Sequence, residues 1–126
     1  MKKNKIPELT PKDKKIIDIF ADLGMPKNLA KTLMYISQCQ ECRSADIEYG
    51  ARLRQPEVSV AMHNLEKKGW ISKRDQKKEG KGRPIYIYKL NYSIDNIIQT
   101  FEKEKMKEIE SVKKDIKELK DLINER

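Results

Sequence analysis

Cys39-Gln40-Glu41-Cys42 is the grouping closest to reactive or metal-binding chemistry in this sequence. Two thiols at this spacing make half of a tetrahedral zinc site, or a dithiol that can close into a disulfide. These are the only two cysteines, and His63 is the only histidine, so one chain cannot complete a four-ligand site. A dimer could bring four thiolates to its axis, but the pair sits beside a basic segment rather than in a self-pairing one. The expectation is therefore no metal and no cofactor, with ordinary small apolar or surface cysteines as the plain reading and a redox pair at Cys39 and Cys42 as the alternative. A single histidine and no convincing carboxylate dyad also leave no nucleophile, base and orienting group, so no enzyme is expected.

A second set carries a different chemistry. Gln55, Ser59, His63 and Asn64 can all donate or accept hydrogen bonds, and they fall opposite the apolar residues Val58, Ala61, Met62 and Leu65. A helix with such a polar face fits the B-DNA major groove, where Asn and Gln suit adenine and arginine suits guanine. Val60 and Lys67 share that face, and Arg52 or Arg54 at its start could reach guanine or phosphate. Glu57 departs from the pattern, because phosphates repel a carboxylate; it could instead favour the helix N-terminus or accept from a cytosine amino group. Downstream, Lys67 to Arg83 holds eight basic and two acidic residues. Lys73, Arg74, Lys77, Lys78, Lys81 and Arg83 could grip flanking phosphates or enter the minor groove, and Gly80 and Gly82 let backbone approach closely. The bland alternative is a solvated charged hairpin.

Charge distribution agrees. Residues 1–93 hold 20 Lys/Arg and 11 Asp/Glu, whereas 94–126 hold 8 and 9, so the net charge of +8 belongs to the first part. A basic body implies a polyanionic partner, although Lys-rich composition alone also serves solubility.

Elements that could position these residues follow from caps and periodicity. Thr10-Pro11-Lys12-Asp13 starts a helix with Ile16, Ile17, Phe20 and Leu23 on one side, closed by Gly24. Pro26 opens a second helix through Leu29, Ala30, Leu33, Met34 and Ile36, ending near Gln38. Cys39 to Arg43 reads as a connector, Ser44 as the N-cap of a short third helix, and Arg52 to Gln55 as a turn. Pro56 begins a fourth helix that Gly69 ends. Trp70 to Arg74 and Ile85 to Leu90 then read as strands, with Trp70 in the core. Either Ile85 and Ile87 or Tyr86 and Tyr88 could face inward. Ser93 caps a last helix from Ile94 to Glu125, in which Ile109, Val112, Ile116, Leu119 and Ile123 repeat at the spacing of a coiled-coil seam. Ile94, Ile97, Ile98 and Phe101 leave that frame and are expected to pack on the globular part, with Ile98 and Phe101 also candidates for the pairing surface. A fold-back of the seam onto its own domain is the alternative to pairing between chains.

Three helices, a turn, a fourth helix and a hairpin form the plan of a winged helix-turn-helix. Gln55-Pro56-Glu57-Val58-Ser59-Val60-Ala61-Met62-His63-Asn64-Leu65-Glu66-Lys67-Lys68-Gly69-Trp70-Ile71, with Gly82-Arg83-Pro84-Ile85-Tyr86-Ile87-Tyr88-Lys89-Leu90, resembles prokaryotic winged helix regulators. The likeness spans about residues 12–90 and is nearest to archaeal proteins related to the MarR, ArsR and TrmB groups. It implies a recognition helix at Pro56 to Lys68, a wing at Lys73 to Tyr86 that includes Gly82, and dimerisation through terminal helices. It leaves no room for the effector domain of longer TrmB-type proteins. The expected organisation is a flexible basic tail over 1–9, a DNA-binding domain over 10–92 and a dimerisation helix over 93–126. The expected fold is mainly α with a small β-hairpin wing. The expected role is a transcriptional regulator that binds double-stranded DNA as a homodimer, with no effector identifiable. A protein-interaction adaptor using the C-terminal coiled coil is the alternative. No apolar run approaches the ~20 residues of a bilayer span, and no signal segment follows the basic start, so a cytoplasmic location and no membrane partner are expected.

Overall fold

A computed structural model describes residues 8–76 and 85–126, and the chain divides into a first unit ending at Tyr92 and a second, Ser93–Arg126. The first unit begins with α1 (Pro11–Asp22) and α2 (Lys27–Gln38). Thr10 and Asp13 cap α1 reciprocally: the Thr10 hydroxyl accepts from the Asp13 N–H at 3.1 Å, and Asp13 Oδ2 accepts from the Thr10 N–H at 2.8 Å. Two of the orphan donors of a helix start are thereby satisfied. The Gln38 amide also donates to this carboxylate, so the end of α2 is fastened to the start of α1. Gly24 turns the chain between them at φ 101°, a conformation that side chains disfavour.

Next come β1 (Cys42–Arg43), α3 (Ser44–Ala51), α4 (Gln55–Lys67), β2 (Ile71–Gln76) and β3 (Ile85–Leu90). The strands form an antiparallel sheet in the order β1-β3-β2, with Cys42 opposite Tyr88 and Ile71 opposite Leu90. Cys42 and Arg43 therefore belong to a strand rather than to the expected connector. Two residues are too few to show periodicity, and their partner lies far along the chain. The N-cap of α3 moves accordingly from Ser44 to Arg43, whose N–H donates to Asp46 Oδ2 at 3.0 Å. The turn between α3 and α4 passes through Arg52 in the left-handed region, φ 56° and ψ 51°, with Leu53 buried beneath it.

Leu29, Leu33, Tyr35, Ile36, Ile47, Val58, Leu65, Trp70 and Ile71 are among the buried residues of this core. Neither expected alternation of β3 holds. Ile87 and Tyr88 are both buried, while Ile85 and Tyr86 are half-buried. Successive strand residues face opposite sides, so the middle of β3 is covered on both, and α2 and α3 pack on this strand. Asn91 closes the open end of the hairpin: its N–H donates to the Trp70 carbonyl at 2.8 Å and its side chain to the Gly69 carbonyl at 2.9 Å.

The second unit is α5 (Ile94–Asn124), capped by the Ser93 hydroxyl, which accepts from the Asn96 N–H at 3.1 Å. Its 31 residues extend about 46 Å. Among the described residues no helix is long and apolar enough to cross a membrane.

Candidate nucleic-acid interface

Helix α4 packs against α2, α3 and β2 through Val58, Ala61, Met62 and Leu65, all buried. The helix starts one residue before the expected position. The sequence reads as a turn through Gln55 with the helix beginning at Pro56. Gln55 instead forms the first helical position and Pro56 the second, where a missing N–H still costs nothing.

Opposite the buried stripe, Pro56, Val60, His63 and Lys67 recur at spacings of four, three and four and are exposed. Gln55 and Ser59 are exposed beside them, and Asn64 is half-buried at the edge. Polar, apolar and cationic side chains thus line one open ridge on a helix whose other side is buried. Pro56 belongs to that ridge and was not singled out from sequence, where it served only as a helix starter.

Glu57 is spent on the helix. Its carboxylate accepts the Arg54 N–H at 2.8 Å, and this hydrogen bond, aided by the Arg54 guanidinium, holds its pKa below the usual carboxylate range. Of the two roles weighed for it, the N-terminal one is therefore occupied. The Arg54 guanidinium reaches Glu57 Oε2 at 3.5 Å but keeps 84% of its side chain exposed. An ion pair in water is worth at most ~1 kcal/mol, so this cation remains free to take a phosphate.

The strand cations are less free than their charge suggests. Lys73 lies 3.9 Å from Glu66 and 4.5 Å from the centre of the Tyr86 ring. Arg74 pairs with Glu41 at 2.8 Å. Neither acid is close in sequence to its cation, and α4 and the segment before β1 supply them. Lys77, Lys78, Lys81, Gly82 and Arg83 lie outside the described residues.

A groove of about 350 Å³ runs beside the ridge, where the start of α2 meets α4. Pro26, Leu29, Pro56, Val60 and Ala61 give it apolar walls, and Asn28, Glu57 and Asn64 edge it. The α2 residues were read from sequence as core or helix start only.

The two cysteines are free thiols, Cys42 buried and Cys39 half-buried. Burial pushes the Cys42 pKa up to about 12 and raises that of Cys39. A raised pKa disfavours the thiolate that a nucleophilic or redox-active cysteine needs. No group of three or more His, Cys, Asp or Glu able to hold a metal ion occurs among the described residues.

On α5, Ile109, Val112, Ile116, Leu119 and Ile123 are each between 44% and 58% exposed. Met106 and Leu122, absent from the sequence reading, extend this stripe and are 50% and 54% exposed. Both stand three residues from a seam position, a spacing that the helical period would have revealed. Earlier in α5, Ile98 is exposed and Ile97 and Phe101 are buried.

No protein-family model matches the sequence, and neither does any characterised protein sequence. Solved structures share the fold. A possible transcriptional regulator from Methanosarcina mazei is similar at a TM-score of 0.65 and 19% identity, over 83% of this chain and 87% of that one. MepR, a transcription regulator of the Staphylococcus aureus multidrug efflux pump MepA, is similar at a TM-score of 0.52 and 18% identity, over 79% and 72%. TrmBL2, an archaeal chromatin protein with a novel mode of DNA binding, is similar at a TM-score of 0.55 and 17% identity, over 87% of this chain but 41% of that one. The chain has the winged helix-turn-helix fold of such regulators.

Proposed function

We propose that this protein is a transcriptional regulator, not an enzyme, that binds double-stranded DNA as a homodimer. Helix α4 enters the major groove, and the basic hairpin formed by β2, β3 and the residues between them lies along the flanking backbone. The observation that carries this reading is the α4 ridge. It is exposed and rich in hydrogen-bonding groups, directly opposite a fully buried stripe, in the second helix of a helix-turn-helix. That is the helix whose side chains reach base edges when such a motif docks. The likeness to regulators and to a DNA-binding chromatin protein supports it.

The exposed stripe of α5 supports the dimer. An amphipathic helix with no cover for its apolar side gains stability by pairing with a second copy. Two copies would read two half-sites about one helical turn apart.

Selection of bound sites from random duplexes at stated salt tests both parts. A preferred site made of two related halves is expected. Lys81→Ala and Arg83→Ala should weaken binding to all sequences and lower the salt slope, each by roughly one unit. Ser59→Ala and Asn64→Ala should instead relax base preference. Wing variants that leave affinity and salt slope unchanged would remove the docking model. Affinity for duplex DNA no greater than that of a scrambled basic peptide would favour an adaptor whose α5 stripe takes a different protein helix.

A further inference from the structure

Val60 is 63% exposed, the one apolar side chain other than proline on the outward ridge of α4. Packing does not need it there, and a β-branched residue is not favoured by an exposed helix position. Polar and charged neighbours would serve solubility better. The side chain is therefore better explained by what the ridge meets than by what holds the ridge in place.

Base edges in the major groove present donors and acceptors, with one apolar exception, the 5-methyl group of thymine. On the reading of α4 given above, we propose that Val60 selects thymine by packing against this methyl. Two further observations point the same way. The flank of Val60 is the groove of about 350 Å³ whose walls are Pro26, Leu29, Pro56 and Ala61, with Glu57, Asn28 and Asn64 at its edge, so a methyl seated beside Val60 meets mostly carbon. Asn64 stands one turn further along α4 on the rim of the same groove. Its carboxamide suits adenine N6 and N7. Val60 and Asn64 together fit a thymine with an adenine close by.

The test uses the full chain and its selected duplex. Each thymine is replaced in turn by deoxyuridine, which removes the methyl and keeps every hydrogen-bonding group. One thymine in each half-site should lower affinity roughly three- to tenfold on replacement. Val60→Ala, which should keep its melting temperature because the residue is exposed, should bind the thymine and deoxyuridine duplexes alike at that position. A selected site whose thymines can all be replaced without loss would overturn the methyl contact while leaving base reading by α4 intact. So would a Val60→Ala protein that keeps the full penalty. A gain on placing 5-methylcytosine at a cytosine, with no loss at any thymine, would assign the contact to methylated cytosine and overturn the thymine assignment. Failure to select any site is a different result: it would end the reading of α4 itself, and this inference with it.

Discussion

Asp13 shows how much one side chain can organise. It is 9% exposed. Burial alone would raise its pKa, but hydrogen bonds from the Thr10 N–H, the Thr10 hydroxyl and the Gln38 amide outweigh that and hold it below the ordinary carboxylate value. A carboxyl depressed in the folded state stabilises the fold at pH values above its unfolded pKa of ~3.9, and that stability is lost as pH falls through the folded value. Asp13→Asn should cost about 1 kcal/mol at pH 7, and its difference from wild type should shrink as pH falls below the ordinary carboxylate value and through the lowered one. Denaturant melts across pH 2 to 7 measure both. Gly50 is a second such position. It lies in α3 against the ring of Tyr35, which is fully buried, and a β-carbon there would overlap that ring. Gly50→Ala removes a helix-weakening glycine, yet it should destabilise the protein by ~1–3 kcal/mol because a packed aromatic cannot retreat. A thermal melt that rises instead would show that Tyr35 can move.

At the scale of elements, the recognition helix and the wing are joined by charge as well as by packing. Glu66 on α4 faces Lys73 on β2, and Glu41 ahead of β1 faces Arg74 on β2. These pairs hold the base of the hairpin against the helix-turn-helix, at the expense of positive charge that a duplex would otherwise feel. On the proposed function, Glu66→Gln and Glu41→Gln should each raise affinity for duplex DNA severalfold, alike for all sequences, and more at low salt. Titrations at two salt concentrations check this; unchanged affinity would place those cations away from the backbone. The caps of α1 and α5 and the α4 stripe were legible in the sequence, since they depend on residues within one or two turns. Strand β1 was not. Its pairing with β3 is long-range, and so is the packing of α2 and α3 on β3 that defeats any reading of that strand by alternation.

For the whole molecule, the open apolar stripe of α5 sets the expected assembly. Ile116→Lys puts a charge in the centre of the seam while leaving the described core of the first unit untouched. Sedimentation should show a dimer for wild type and a monomer for this variant at micromolar concentration. Far-ultraviolet circular dichroism should show reduced helicity, since a long helix without tertiary cover is marginal in water. Affinity for a two-half selected site should fall far more than affinity for a single half. A variant that remains dimeric would place the pairing surface elsewhere.

Local chemistry by itself determined the caps of α1 and α5, the amphipathic faces of α4 and α5 and the gathering of positive charge before Ser93. Those features arise from neighbours in sequence, through caps, periodic spacing and composition. Only the tertiary structure decided that Lys73 and Arg74 are partly neutralised, that both Ile87 and Tyr88 are buried, and that a largely apolar groove runs beside Val60. Each of these depends on which segments meet in space, and that is decided by burying several apolar faces at once rather than by any one stretch of chain.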